Sequence, residues 1–250
     1  MGDGLKCAHI QFELPLDADA RKAAWRAVEP AWLSLATEAT PADAIPPDER
    51  AWFSDDAPKP PASGPLPTAL RVLWSDTSLY LLFQCADSDV WSTRTQRDDP
   101  LYEEEVVEAF LCPTGDARHY YELELSPRNV LFDARVDSPE RNRLTMRVDT
   151  AWSCAGIRTA VRVCGVLEGS PPERRSETPA LHRSRWWTAE LAVPFAAFPE
   201  APRPRPGDAW RANFFRIDGQ APPVCLAWRP TLEVPANFHV PDRFGALRFV

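Results

Sequence analysis

The strongest β-strand pattern in this chain lies in two neighbouring segments. Residues 102–112 (YEEEVVEAFLC) and residues 119–125 (HYYELEL) are rich in β-branched, aromatic and aliphatic side chains. The intervening residues 113–116 (PTGD) have the composition of a turn, so the two segments are predicted to form a β-hairpin. Because side chains alternate between the two faces of a strand, Glu122 and Glu124 are expected on the same face.

Glu108 is the one charged residue within the apolar run 106–112 of the first strand. If the turn centres near Gly115, Glu108 falls opposite Glu122, with Glu124 one step along, and like charges directly opposite each other are destabilising. A carboxylate in such a strand needs an arginine, a bound cation or a ligand with hydroxyl donors. Arg216 is the expected partner, because it lies in an apolar, strand-like run. The functional face is therefore predicted at these carboxylates.

Similar apolar runs, separated by turn residues, recur along the whole chain. Further strands are predicted at residues 7–14, 31–35, 68–74, 78–86, 130–136, 157–166, 186–193, 209–217, 224–228 and 246–249. Short helical segments are predicted at 21–27 and 195–198, and long surface loops at 40–67 and 167–184. The 27 prolines, against 10 glycines, favour stiff loops over long helices. We therefore predict an all-β fold: a single antiparallel β-sandwich of roughly ten to twelve short strands over residues 1–250.

Composition and charge exclude several classes of function. The net charge of −8 and the absence of a basic stripe argue against nucleic-acid binding. No apolar run approaches the roughly 20 residues of a membrane-spanning helix, and the N-terminus lacks the pattern of a signal peptide. We expect a soluble cytoplasmic protein, or an exported one if translation starts elsewhere. The six cysteines contain no CxxC pair, so zinc is not expected and the thiols are expected to be reduced.

Several sequence phrases, taken in order, resemble carbohydrate-binding module family 9 and its relatives in the DOMON-like group of β-sandwiches. These phrases occupy residues 70–76, 79–80, 105–110, 121–127, 187–194, 210–216 and 238–245. Their order and spacing extend the resemblance from about Trp25 to the C-terminus. The resemblance implies a non-catalytic antiparallel sandwich that binds a mono- or oligosaccharide between two aromatic side chains on one sheet face.

The resemblance also assigns candidate residues. Tyr102 matches the first aromatic position, where better-characterised members have tryptophan, and Phe238 matches the second. Glu108 matches a glutamate inside the strand, whereas Glu122 stands where some members have a basic residue. Aromatic rings stack on the apolar faces of sugars, and the carboxylates and an arginine are expected to bond the hydroxyl groups. The predicted ligand-binding residues are Tyr102, Glu108, Glu122, Glu124, Arg216, Phe238, Trp91 and His239.

Alternatives to this interpretation remain. Facing glutamates could belong to a retaining glycosidase, whose two carboxyls lie about 5–5.5 Å apart, although no feature of the sequence marks one of them as the acid. A protein-interaction scaffold of the same fold is a further alternative. No organic cofactor is expected. Some family members carry structural calcium, and a polar loop supplies suitable oxygen atoms from Asp87, Asp89, Asp98 and Asp99. The identity of the sugar and the oligomeric state stay open.

Overall fold

The computed structural model describes residues 4–40, 48–54, 64–165, 167–169, 184–219 and 222–250. In chain order, the strands in these ranges are β1 (Leu5–His9), β2 (Ala31–Trp32), β3 (Ser34–Leu35), β4 (Thr68–Trp74), β5 (Ser78–Ala86), β6 (Val106–Cys112), β7 (His119–Leu125), β8 (Leu131–Asp137), β9 (Arg147–Asp149), β10 (Arg158–Gly165), β11 (Ser184–Pro194), β12 (Ala209–Asp218), β13 (Val224–Ala227) and β14 (Gly245–Phe249). The helices are α1 (Ala23–Arg26), α2 (Glu49–Phe53) and the 3₁₀ segments Leu101–Glu103, Phe195–Ala197 and Pro241–Arg243. Across the described ranges, every helix is too short or too polar to span a membrane.

The strands form two layers that β1 connects. The first layer has the order β10-β11-β5-β4, and the second has the order β14-β12-β6-β7-β8-β9. Strand β1 lies between β4 and β14 and pairs with both in parallel, whereas the remaining ladders are antiparallel. The predicted all-β sandwich is confirmed, but it is not wholly antiparallel. The partners of β1 are distant in sequence, so no hairpin forces an antiparallel arrangement on it.

The main hydrophobic core lies between the two layers. Leu81 and Phe83 of β5 belong to the same buried cluster as Leu123 of β7 and Phe214 of β12. The rings of Phe83 and Phe214 meet directly across the layers, with 6.3 Å between their centroids. Apolar burial of this kind is the main stabilising contribution to a sandwich. Because alternate side chains of the second-layer strands fill this core, the side chains between them point to the outer face of that layer.

A second apolar cluster covers the outer face of the second layer. Phe110 of β6 and Tyr120 of β7 pack there with Phe215, Phe238 and Phe244. The glutamates at even-numbered positions of β6 and β7 share this face. Residues of the segment 236–244 thus lie over the sheet beside the glutamates.

Three predicted segments differ from the observed structure. The strand predicted at 31–35 is split, because β2 pairs with β4 of the first layer and β3 pairs with β13 of the second. The described part of the predicted loop at 40–67 contains α2, where Phe53 stacks on Trp32 with 6.2 Å between the ring centroids. The strand predicted at 7–14 is displaced to Leu5–His9. Most of the loop predicted at 167–184 lies outside the described residues.

Candidate functional site

Three glutamates meet on the outer face of the second layer and are called the glutamate cluster below. They are Glu108 of β6 and Glu122 and Glu124 of β7, and each contributes a carboxyl oxygen to a group within 4.8 Å of one another. Glu108 lies opposite Glu124, so the prediction that it lies opposite Glu122 is wrong. The turn centres on Asp116, midway between the paired Leu111 and Tyr121, and this shifts the partner by two positions.

The glutamate cluster is buried and poorly satisfied. Glu108, Glu122 and Glu124 expose 2%, 5% and 0% of their surface. Among the described residues, Oε1 of Glu108 and both carboxyl oxygens of Glu124 have no hydrogen-bond partner. The backbone N–H of Tyr102 lies close enough to Glu124 to lower its pKa, although it does not meet hydrogen-bond geometry. Buried acceptors without partners are uncommon in folded proteins, and each calls for a physical explanation.

Burial and mutual repulsion both act on the pKa values of this cluster. Burial raises the pKa of Glu108 well above its ordinary range, and the charge of Glu122 adds to the shift. Burial also raises the pKa of Glu124, together with the charges of Glu108 and Glu122. For Glu122, burial raises the pKa to about 7. Each carboxylate therefore loses hydration without gaining a compensating charge.

A cavity of about 460 Å³, called the glutamate cavity, opens onto this cluster. Its lining includes Glu108 and Glu122, and also Tyr102, Phe132, Met146, Ile217, Phe238 and His239. This volume lies in the range typical of small-molecule sites. Aromatic and carboxyl groups therefore line one cavity.

The two predicted aromatic residues present different surfaces to the cavity. Tyr102 is 51% exposed and meets Phe132 edge-on, with 6.1 Å between the ring centroids. Phe238 is 8% exposed and stacks on Phe215 at 4.2 Å and 12° between the ring planes. Tyr102 thus keeps a ring face free for a ligand, whereas one face of Phe238 already belongs to the core.

His239 connects the aromatic and acidic parts of the cavity. Its Nδ1 lies 2.9 Å from the Tyr120 hydroxyl oxygen, and its Nε2 lies 3.9 Å from Oε1 of Glu122. Burial lowers the pKa of His239 to about 4, and the charge of Arg143 adds to this shift. The imidazole is therefore neutral at pH 7 and does not compensate Glu122 as a cation.

The family model described as "Carbohydrate-binding family 9" matches residues 61–249, more than half of the chain. The chain belongs to carbohydrate-binding family 9. It is also 28% identical over 200 residues to an "Extracellular protein" of Arthroderma benhamiae, which covers 76% of this chain and 82% of that protein.

Solved structures show the same fold. A candidate carbohydrate-binding protein from Bacteroides uniformis aligns with a TM-score of 0.67 at 17% identity, over 99% of this chain and 100% of that one. A family 9 module of Caldicellulosiruptor kristjanssonii, solved with cellotriose, aligns with a TM-score of 0.57 at 11% identity, over 98% and 92% of the two chains. A family 9 module from the same organism, solved with glucose, aligns with a TM-score of 0.57 at 13% identity, over 98% of this chain and 95% of that one. At these identities the likeness establishes the fold.

Arg216 of this family 9 chain does not face the glutamate cluster. In the register of β12 and β6, Phe215 lies opposite Glu108 and Arg216 lies opposite Val107. Because successive side chains of a strand point to opposite faces, Arg216 points between the layers. The predictions that Arg216 compensates Glu108 and contributes to the ligand site are therefore wrong.

Arg216 instead pairs with three buried carboxylates. Arg216 and these three acidic residues are called the arginine cluster below. The partner oxygens around its Nη2 are Asp87 Oδ2 at 2.6 Å, Asp218 Oδ2 at 3.3 Å and Glu105 Oε1 at 3.4 Å. Its Nη1 donates to the carbonyl oxygen of Ala86 at 2.8 Å. The guanidinium is fully buried, and the four groups join the two layers of the sandwich.

Trp91 and the aspartates of the polar loop have structural contacts away from the glutamate cavity. The indole Nε1 of Trp91 donates to the carbonyl oxygen of Gly219 at 3.0 Å, so the ring lies outside the predicted ligand site. Asp87 belongs to the arginine cluster, and Oδ2 of Asp99 accepts backbone N–H groups of the loop. Within the described ranges, the residues grouped closely enough to hold a metal are those of the glutamate cluster.

The cavity also contains residues that sequence reasoning missed. Arg143, Met146, Thr150, Cys225 and Asn237 line it, although none of them is near β6 or β7 in sequence. They come from the segment 143–150 and from strand and loop positions that fold over the sheet. Asn237 directly precedes the predicted Phe238, whereas the other four lie in polar loops or ordinary strands that carry no local signal of a site.

A second cavity, of about 420 Å³, lies on the outer face of the first layer, between α2 and β11. Arg71 and Arg162 line it together with Trp186. Arg71 is already paired with Glu49 at 2.5 Å and with the side-chain oxygen of Gln84 at 2.6 Å. Arg162 lies over the Trp186 ring, 5.5 Å from its centroid. The glutamate cavity, with its unsatisfied carboxyl groups, is therefore the stronger candidate.

Proposed function

We propose that this family 9 chain binds a mono- or oligosaccharide in the glutamate cavity and does not catalyse its conversion. The observation that carries this proposal is the exposed ring of Tyr102 beside the carboxyls of Glu108 and Glu122. The related modules solved with glucose and cellotriose support the same ligand class.

Each lining group has a role in this proposal. The free face of Tyr102 stacks on the apolar face of a sugar ring. The carboxyls of Glu108 and Glu122 bond hydroxyl groups, which both donate and accept hydrogen bonds. His239 and Asn237, which also line the cavity, add polar contacts. Phe238 contributes an apolar surface to the same lining.

The carboxyl groups themselves support a binding role over hydrolysis. A retaining glycosidase needs one protonated acid and one ionised nucleophile, and these states come from two different environments. Glu108 and Glu122 share one buried environment, and burial raises the pKa of both. Glu124, the third member, is fully buried and is not among the residues that line the cavity.

Titration calorimetry with glucose, cellobiose and cellotriose, preceded by a glycan array, tests the proposal. Tyr102→Ala should weaken binding by roughly 5- to 150-fold, which corresponds to about 1–3 kcal/mol for a stacked aromatic anchor. Phe12→Ala is the matched control, since Phe12 is 57% exposed and lies outside the cavity lining. No binding at millimolar sugar would refute the proposal, and hydrolysis of any sugar would favour the glycosidase.

Phe238→Ala is a less specific variant than the sequence suggested. The resemblance predicts a ligand-facing ring whose removal changes stability little. Phe238 is buried and stacked on Phe215, so its removal should lower stability as well as binding. Its sugar affinity should therefore be measured only at a temperature where circular dichroism shows a folded protein.

A further inference from the structure

We propose that Glu108, Glu122 and Glu124 together bind one hard divalent cation of the calcium class at the base of the glutamate cavity. This inference concerns the unliganded protein and does not require that the cavity bind a sugar. It rests on the geometry of the three carboxyls, on their missing hydrogen-bond partners and on the absence, among the described residues, of a Lys or Arg that pairs with them.

The spacing of the carboxyl oxygens fits a shared ion. Calcium binds oxygen atoms at about 2.3–2.6 Å, so two oxygens on one ion lie at most about 4.6–5.2 Å apart. The three glutamates each offer an oxygen, and these oxygens all lie within 4.8 Å of one another. One ion can therefore contact all three side chains with only small movements.

The hydrogen-bond state of the cluster is an independent indication of a missing partner. Glu124 is fully buried, yet neither of its oxygens has a hydrogen-bond partner in the described part of the chain, and the same holds for Oε1 of Glu108. Buried charges in proteins are normally paired or coordinate a metal. Each of the three glutamates has a carboxyl oxygen within 4.8 Å of the other two, and the backbone N–H of Tyr102 also lies near Glu124.

No ion pair from Lys or Arg reaches the cluster in the part of the chain that the structure describes. Its nearest ion-pairing group there is His239, whose Nε2 lies 3.9 Å from Glu122. Arg216, on the neighbouring strand, is engaged by the arginine cluster between the layers. Arg143 lines the cavity but makes no ion pair with these glutamates.

The donor set favours a hard cation, because three carboxylates offer oxygen and neither sulfur nor imidazole nitrogen. Glu108 and Glu122 line the cavity, so the ion can enter from that side. Calcium takes six to eight oxygen ligands, and water in the cavity supplies those that the glutamates do not.

Thermal unfolding and calorimetry of the full chain after treatment with EDTA test this site at pH 7. Calcium chloride should raise Tm by about 5–10 °C at a hundredfold excess over Kd, with a stoichiometry of one. Manganese and magnesium chloride serve as further probes of the same site. Glu124→Gln should weaken calcium binding at least tenfold, because it removes a charged ligand while keeping the shape of the side chain.

Glu233→Gln is the matched control, since Glu233 is exposed and outside the cluster, and it should keep the full calcium response. Glu108→Gln is the second variant, should Glu124→Gln fold poorly. No shift in Tm and no heat of binding with any of the three ions would overturn the proposal. An unchanged calcium response in both cluster variants would also overturn it, because the ion would then bind elsewhere. Failure to bind sugars would leave the calcium response intact.

Discussion

Two groups of buried acidic side chains lie on opposite sides of the second layer of the sandwich. The arginine cluster gathers Asp87, Glu105 and Asp218 around one guanidinium between the layers. The glutamate cluster gathers three carboxyls on the outer face, with His239 as its nearest ion-pairing group among the described residues. Both are almost fully buried, so burial alone does not separate them.

The two clusters differ in whether a cation pairs with the acids. In the arginine cluster each acidic group pairs with Arg216, and these acids raise the pKa of Arg216 although burial acts against it. One guanidinium does not neutralise three acids, so burial and the charge of Asp87 still raise the pKa of Glu105 well above its ordinary range. In the glutamate cluster three carboxyl oxygens have no hydrogen-bond partner within the ranges that the structure describes. Removing one member of a compensated group leaves a buried charge, whereas removing a member of an uncompensated group relieves repulsion. The inner cluster is therefore structural, and the outer one is suited to a ligand.

Arg216→Met should produce the largest effect, a loss of about 3–5 kcal/mol in the free energy of unfolding. The substitution keeps a long apolar side chain but leaves Asp87, Glu105 and Asp218 buried without their cation. Urea unfolding, monitored by fluorescence, measures this loss of stability. Arg135→Met is the matched control, because Arg135 pairs with Asp149 at an exposed site and should change stability by less than about 1 kcal/mol. Equal losses in the two variants would contradict the structural role of the arginine cluster.

Double-mutant cycles should show that Arg216 is energetically coupled to the acids of the arginine cluster and not to the glutamate cluster. Glu105→Gln should recover about 1–3 kcal/mol in the Arg216→Met background, because it removes a charge that the arginine had compensated. Glu108→Gln should couple to Arg216→Met by less than about 0.5 kcal/mol, since the two side chains point to opposite faces. Coupling of similar size in both cycles would mean that one electrostatic network spans the sheet.

In the presence of a chelator, Glu124→Gln should change the free energy of unfolding in the opposite direction to Arg216→Met. It should stabilise the fold by about 1–2 kcal/mol, because burial raises the pKa of Glu124, and an amide avoids the free-energy cost of keeping that buried carboxyl protonated or unpaired at pH 7. The measurement is urea unfolding in EDTA at pH 7, with Glu233→Gln expected within about 0.5 kcal/mol of the parent chain. A clear loss of stability in EDTA would show that Glu124 already has a partner in the unliganded protein.

Thiol labelling should show the smallest effect. It compares the labelling rate of one cysteine beside the arginine cluster with that of one cysteine in the lining of the glutamate cavity. Burial raises the pKa of Cys85, beside the arginine cluster, to about 12, and that of Cys225, which lines the glutamate cavity, to about 11. The thiolate is the reactive form, so labelling of Cys225 should rise about tenfold per pH unit between pH 8 and 10. Cys85 is fully buried and should react only when the chain unfolds.

Peptide mapping by mass spectrometry after timed labelling identifies each modified cysteine. Cys225→Ser should abolish the early labelling at that position and leave the behaviour of Cys85 unchanged. Labelling of Cys85 before Cys225 in the native protein would contradict the assignment of these two thiols to the core and to the cavity.

The sequence by itself determined most of the strand content and the faces within single strands. The alternation in 119–125 correctly places Glu122 and Glu124 on one face, because this alternation is a local property of the extended backbone. The polar surroundings of Tyr102 pointed to an exposed ring, and the structure shows it 51% exposed. The acidic position Glu108 inside an apolar strand drew attention to the face that holds the glutamate cavity.

Only the tertiary structure decided how these strands are registered and what covers them. A shift of the turn centre from Gly115 to Asp116 changed the partner of Glu108. The pairing of β12 with β6, about a hundred residues apart in sequence, turned Arg216 away from Glu108. Local alternation relates neighbours in one strand, but the register between distant strands is chosen by burial of the whole core. For the same reason the lining of the glutamate cavity, drawn from segments distant in sequence, could not be deduced from any one of them.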